Sequence, residues 1–158
     1  GRLGTPLSNS DRRFELADMD LCREMEPPEL KALAAVLRPR ELAGGERLFS
    51  AGDPGAELYL VLQGQVDIRL PSAQDRFKRL GIYGSGTVFG AVAFLDPGPR
   101  SADAVAVRNS ELLVLNRADF NQLRFTCPDA AIALLLALGR QQSNALRWSA
   151  KEIQRLIR

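Results

Sequence analysis

The sequence predicts a mainly β fold, an antiparallel barrel or double-sheet roll with helices before and after it. Two changes of apolar period and the turn chemistry between them lead to that prediction. Leu30, Leu33, Ala34 and Leu37 fall at i, i+3, i+4 and i+7, the stripe of an amphipathic helix. Beyond Pro39 the period shortens to two, as in Val66-Asp67-Ile68-Arg69-Leu70, and at Asn116 it lengthens again. Between those points about eight short apolar runs alternate with Gly- and Pro-bearing turns, the spacing of a closed or double-layered β domain.

Residues 1–13 read as a flexible leader and 14–158 as one domain, with a roll over about 40–116 and C-terminal helices over about 117–157. Phe14, Leu16, Met19 and Leu21 anchor a short helical or irregular segment. Pro27-Pro28 opens the first clear helix, where the missing N–H groups cost nothing, and Pro39 ends it. Strands are expected at Arg47–Phe49, Leu58–Leu62, Val66–Leu70, Phe77–Tyr83, Ala102–Val107 and Leu112–Leu115. Turns at Gly44-Gly45, Gly52-Asp53-Pro54-Gly55, Gln63-Gly64-Gln65, Pro71–Arg76 and Arg108-Asn109-Ser110 separate them. Asn116 with Asp119 forms a capping-box-like start to a short helix carrying Phe120 and Leu123. Pro128 opens a long helix whose apolar face includes Ile132, Leu135, Leu136, Leu138, Leu146, Ile153, Leu156 and Ile157.

Composition narrows the function classes. A chain of 158 residues, 46% apolar and 25% charged, is one soluble domain's worth of protein. Its net charge of +2 is too small to point to nucleic acid. The late basic residues Arg140, Arg147, Lys151, Arg155 and Arg158 spread around a helix and solvate it rather than read DNA. Histidine is absent, which removes the commonest general base and metal ligand. With no HExxH, Walker loop or paired-cysteine site, the sequence offers no catalytic set, no metal site and no required cofactor. Cys22 and Cys127 read as two buried free thiols in a reducing cytoplasm. The apolar run Ala130–Leu138 is too short to span a membrane, so no membrane insertion is expected. The opening Gly1 suggests a piece of a larger protein or a processed expression product.

The chemistry concentrates between Val88 and Ala102. A glycine-bearing turn, Phe89-Gly90, opens one short helical turn, a Pro/Gly-broken loop follows, and Arg100-Ser101 stands where the next strand begins. Unsatisfied N–H groups at a helix start, with a guanidinium returning beside them, suit a phosphate. Asp103 either faces water or, turned inward, competes for Arg100.

The order of elements, with Gly44-Gly45-Glu46, Gly52-Asp53, Leu58–Gly64, Gly84, Gly86, Phe89-Gly90 and Pro99-Arg100-Ser101-Ala102, resembles the cyclic nucleotide-binding domain family. That family includes catabolite-activator-type regulators, kinase regulatory subunits and cyclic nucleotide-gated channels. The resemblance implies an eight-stranded antiparallel double-stranded β-helix, a jelly-roll-like β-roll, with an N-terminal helix and two C-terminal helices. It implies that Arg100 pairs with a cyclic phosphate and that Ser101 adds its hydroxyl and N–H. The amides of Gly90, Ala91 and Val92 would close around the ribose-phosphate. Val66, Ile68 and Val88 would wall the base, and the long helix would lid the pocket, with Trp148 either over the purine or packed elsewhere.

One departure stands out. Family members that bind tightly usually carry glutamate where this chain has Ala91. Neither Glu111 nor Asp96 replaces it in sequence position, although the fold could bring one of them near. Two readings follow: a regulatory module that binds cAMP or cGMP weakly, or a degenerate module used for protein–protein or interdomain contact. The wording around Arg100 also resembles the C-terminal module of bacterial sulfate-permease-type transporters and of glutaminases with an anti-sigma-antagonist-like domain. Expected partners are other domains of a larger bacterial protein and a second copy through the long helix, in the cytoplasm.

Overall fold

The computed structural model describes residues 12–157. Two four-stranded antiparallel sheets form the roll. One is ordered β1 (Arg38–Leu42), β10 (Ser110–Leu115), β4 (Leu58–Gln63) and β7 (Val88–Phe89). The other is ordered β2 (Arg47–Phe49), β9 (Asp103–Ala106), β5 (Gln65–Pro71) and β6 (Phe77–Gly84). A two-stranded ribbon pairs β3 (Pro54–Gly55) with β8 (Gly98–Pro99). Leu42, Tyr59, Val61, Phe89 and Leu112 from the first sheet meet Val66, Ala104 and Ala106 from the second in one buried cluster. The expected mainly β architecture with flanking helices is therefore present.

Among the described residues four α-helices surround it: α1 (Pro27–Val36), the short α2 (Ala91–Leu95), α3 (Arg117–Thr126) and α4 (Pro128–Leu156). Met19, between two 3-10 turns before α1, and Leu21 and Cys22 on the second of them pack with Leu33, Phe94, Phe120, Leu123, Leu134 and Leu138 into a second cluster. Burying a leucine such as Leu134 or Leu138 is worth about 1.5–3 kcal/mol, so these contacts fix the helices to the roll. Asn116 caps α3 by accepting from the Asp119 N–H at 2.7 Å. The Asp119 carboxylate takes Arg38 instead of completing a capping box, with Nε at 2.7 Å, and ties α3 to β1.

Several sequence expectations need correction. Helix α1 stops at Val36, and Pro39 lies inside β1 opposite Leu113, so the roll begins at Arg38. An edge strand tolerates proline because one side of it has no ladder to complete. Ala34 is exposed, not part of the buried stripe. Asp67 does not face solvent: it is fully buried, and its Oδ2 accepts from Arg69 and Arg79 at 3.2 and 2.8 Å. Of the leader, residues 1–11 lie outside the described residues. Arg13 is pinned, donating to Glu111 at 2.8 Å. Both cysteines are unpaired, but Cys127 is only half-buried; burial pushes the Cys22 thiol up to about 11.

Helix α4 docks through only part of the apolar face expected from the sequence: Leu138 is buried as expected, but most of the other residues on that face are not. Ala130, Ala131, Leu134 and Leu138 are buried, whereas Ile132, Leu136, Leu146 and Ile153 are exposed. Alanines let a helix lie close to its support, and leucine content alone does not reveal that. No helix among the described residues is long and apolar enough to cross a membrane.

Three carboxylates have lowered pKa values: Asp119 through its hydrogen bond from Arg38, Glu111 through Arg13, and Asp103 through the Ala51 N–H and then Arg47. Lowered folded-state values stabilise above the ordinary carboxylate range, about 3.9–4.3, and that stabilisation is lost as pH falls through them. The urea midpoint is expected to hold from neutral pH to about 5 and fall below about 4. Arg38→Ala should lower the neutral-pH midpoint and flatten the acid limb, as urea titrations at stepped pH would register.

Candidate functional site

Three local devices deliver Arg100. The ribbon pairs Pro54 with Pro99 and Gly55 with Gly98, so two segments that read as turns become a clasp. The Arg100 N–H donates to Asp53 O at 2.7 Å, and Gly52 N–H donates to Arg100 O at 2.8 Å. Gly55 leaves the guanidinium its room, since a Cβ there would overlap it. The arginine is thus locked at its backbone before its side chain meets anything.

The side chain is only 5% exposed. Its guanidinium carbon lies 4.4 Å from the Phe49 ring centre and 5.5 Å from that of Tyr59, and Tyr59 stacks on Phe89 at 5.0 Å. Such rings attract a cation, more strongly out of water. Nη2 donates to Glu57 O and to Glu57 Oε2, both at 3.1 Å. Burial, followed by the Glu57 charge, raises the Tyr59 phenol above its ordinary value, so it stays neutral at physiological pH.

A cavity of about 300 Å³ opens beside Arg100. Val88, Gly90, Ala91, Val92 and Ser101 line it, together with Ile68, Phe89 and Tyr83 from the sheets. That volume is at the lower end of small-molecule pockets. Gly90 takes φ +85°, and a Cβ there would stand 2.8 Å from Glu57 O, so only glycine fits the turn into α2. The first N–H groups of a helix have no intrahelical acceptor, and those of α2 begin at the cavity. Below it, Phe94 packs edge-on against Phe120 at 5.2 Å, and Arg117 donates to Phe94 O, which fixes α2 to α3.

Of the eight candidate residues, the structure gathers seven at this cavity: Gly90, Ala91, Val92, Arg100, Ser101, Ile68 and Val88. Val66 is absent from the lining; it is fully buried in the intersheet cluster, on the same strand face as Ile68 but deeper. Asp103 neither faces water nor reaches Arg100. It accepts from the Ala51 N–H at 2.7 Å and pairs with Arg47 at 2.8 Å. Trp148 is 65% exposed and outside the cavity.

Sequence reasoning missed Glu57, Phe49 and Gln141 as site residues. Asp96 lines the cavity although it does not occupy the expected acidic position. Gln141 on α4 donates to Val88 O at 3.2 Å, and with Gln142 it lines the side nearest that helix. Gln141 sits in the polar run Arg140–Asn144, so its sequence neighbourhood does not single it out.

The model of the cyclic nucleotide-binding domain matches residues 39–127. The chain belongs to that family. It is 35% identical over 121 residues to the cyclic AMP receptor protein of Thermus thermophilus, covering 77% of this chain and 56% of that protein. The crystal structure of the Thermus thermophilus catabolite activator protein superposes with a TM-score of 0.75 at 32% identity, over 86% of this chain and 62% of that one. The c-di-GMP-responsive global regulator CLP of Xanthomonas campestris gives 0.68 at 28% identity, over 84% and 65% respectively. The chain therefore spans just over half the length of the curated relative from Thermus. Within this family frame the cavity lies between the Phe89–Ala102 segment and α4.

Proposed function

We propose that this domain is the non-catalytic, ligand-sensing module of a larger bacterial protein and binds a cyclic nucleotide, cAMP or cGMP, in the cavity beside Arg100. The observation that carries the reading is a nine-tenths-buried arginine that lines an open cavity together with the start of α2. Burying a cation is costly unless an anion or hydrogen bonds compensate it, and a planar guanidinium matches phosphate oxygens. Arg100 and Ser101 hold the phosphate, the amides of residues 90–92 close around the ribose-phosphate, and Ile68 with Val88 walls the base. The similarity to the Thermus cyclic AMP receptor protein supports cAMP, whereas the similar Xanthomonas regulator is c-di-GMP-responsive.

Binding is expected to be weak. Ala91 offers no side-chain acceptor to a ribose hydroxyl, and losing a hydrogen bond to a charged acceptor costs about 1.5–3 kcal/mol, roughly ten- to hundredfold in affinity. The same alanine favours the second reading, a module that keeps the roll for interdomain contact without nucleotide. Calorimetric titration with cAMP and cGMP separates them. Saturable binding that Arg100→Ala abolishes, and that Ala91→Glu tightens about ten- to hundredfold, supports the sensing module. Absence of heat at millimolar nucleotide in all three proteins supports the interaction module.

A second copy of the chain is the proposed partner of α4. Ile132, Leu136, Gly139, Ser143, Leu146, Ala150, Ile153 and Ile157 alternate at spacings of four and three, the seam of a two-helix coil. Ile132, Leu136, Leu146, Ile153 and Ile157 on that seam are exposed. Sedimentation should show a concentration-dependent dimer that Leu146→Glu with Ile153→Glu converts to monomer; a monomer at every concentration would contradict it. Other domains of the parent protein, such as a sulfate-permease-type transporter or a glutaminase of the kind its wording resembles, complete the proposed partners, with the domain on the cytoplasmic side.

A further inference from the structure

Glu57 touches Arg100 from outside the cavity. It lies in a separate cleft with Arg40, Asp53 and Tyr59, and Arg100 with Phe49 forms the wall the two spaces share. Through its backbone carbonyl and its carboxylate it holds Nη2 twice, each at 3.1 Å. One residue therefore fixes the guanidinium plane and places a negative charge directly behind it. Among the described residues lining the cavity, Arg100 is the sole cation and Asp96 the sole carboxylate. An anion entering the site meets one positive charge that already has a partner, and a second carboxylate at the wall.

We infer that Glu57 is a positioning and specificity-determining residue that restricts this site to a singly charged phosphodiester and disfavours a doubly charged phosphomonoester. The inference rests on the cyclic nucleotide reading above and names the charge class that its pocket accepts. A cyclic phosphodiester carries one negative charge and needs one guanidinium with neutral N–H donors around it. A 5′-phosphomonoester has a second pKa near 6 and so carries nearly two charges at pH 7.5. Its extra charge meets no second cation at the cavity and is repelled by both Glu57 and Asp96. Each unit of ligand charge feels the Glu57 carboxylate once, so removing that charge helps the dianion more than the monoanion.

The test compares cAMP with 5′-AMP at pH 7.5 on the wild-type chain, Glu57→Gln, Glu57→Ala and Asp96→Asn, by calorimetric or competition titration. Gln at 57 keeps a side-chain acceptor for Nη2 and the backbone carbonyl while removing the charge; Ala removes the side-chain contact as well. The shapes of the two nucleotides are the same in every protein and cancel when the affinity ratios are compared. The preference for cAMP over 5′-AMP is expected to narrow roughly three- to tenfold in Glu57→Gln, the size of one partly screened charge acting beyond contact distance. Asp96→Asn, which leaves the Arg100 contacts untouched, is expected to narrow it in the same direction. Glu57→Ala should in addition weaken cAMP itself relative to Glu57→Gln, because the guanidinium loses a restraint. A ratio unchanged within twofold in both Glu57→Gln and Asp96→Asn overturns the inference while leaving nucleotide binding intact. Failure of the wild-type chain to bind cAMP at all overturns the underlying reading, and the inference with it.

Discussion

The site depends on how a single cation is kept out of water. Arg100 is held by its backbone to Asp53 and Gly52, over the face of Phe49, and at Nη2 by Glu57. An unpaired buried guanidinium would be strongly destabilising, so the aromatic floor and the carboxylate are conditions for its presence at all. They also fix its orientation. The outcome is a donor group aimed at a cavity without the entropy cost of ordering a long side chain when a ligand arrives.

Around that cation the fold supplies small residues where backbones must approach. Gly55 makes room for the guanidinium, and Gly90 admits the φ +85° turn that starts α2 under Glu57 O. Helix α4 docks through Ala130, Ala131, Leu134 and Leu138, while Ile132, Leu136, Leu146 and Ile153 face outward. Gln141 joins the two regions by donating to Val88 O, immediately before Phe89 and the cavity loop.

Much of this was legible in the sequence, because the strong signals are local. Turn residues, the change from helical to strand period, Pro128 at a helix start and the Asn116 cap each depend on neighbours within a few positions. The side of the cavity formed by Gly90 to Ser101 was legible for the same reason, since those residues lie within a dozen positions. The failures have a common cause in long-range pairing. Pro54-Gly55 and Gly98-Pro99 look like turns until they meet each other, and Glu57 is 43 positions from Arg100. Asp67 alternates as a solvent-facing residue should, yet Arg79 from the next strand covers it. Val66 and Ile68 share one face of a strand, and only the depth of packing separates core from wall.

The central claim is that a preoriented Arg100 and the helix-start amides beside it receive a phosphate group. Nitrogen-15 NMR of the uniformly labelled domain during a cAMP titration observes both directly. The account predicts saturable shifts of the Gly90, Ala91, Val92 and Ser101 amides and of the Arg100 Nε resonance, all with one dissociation constant. Shifts confined to other surfaces, or an Arg100 Nε signal unmoved at saturating nucleotide, would contradict it.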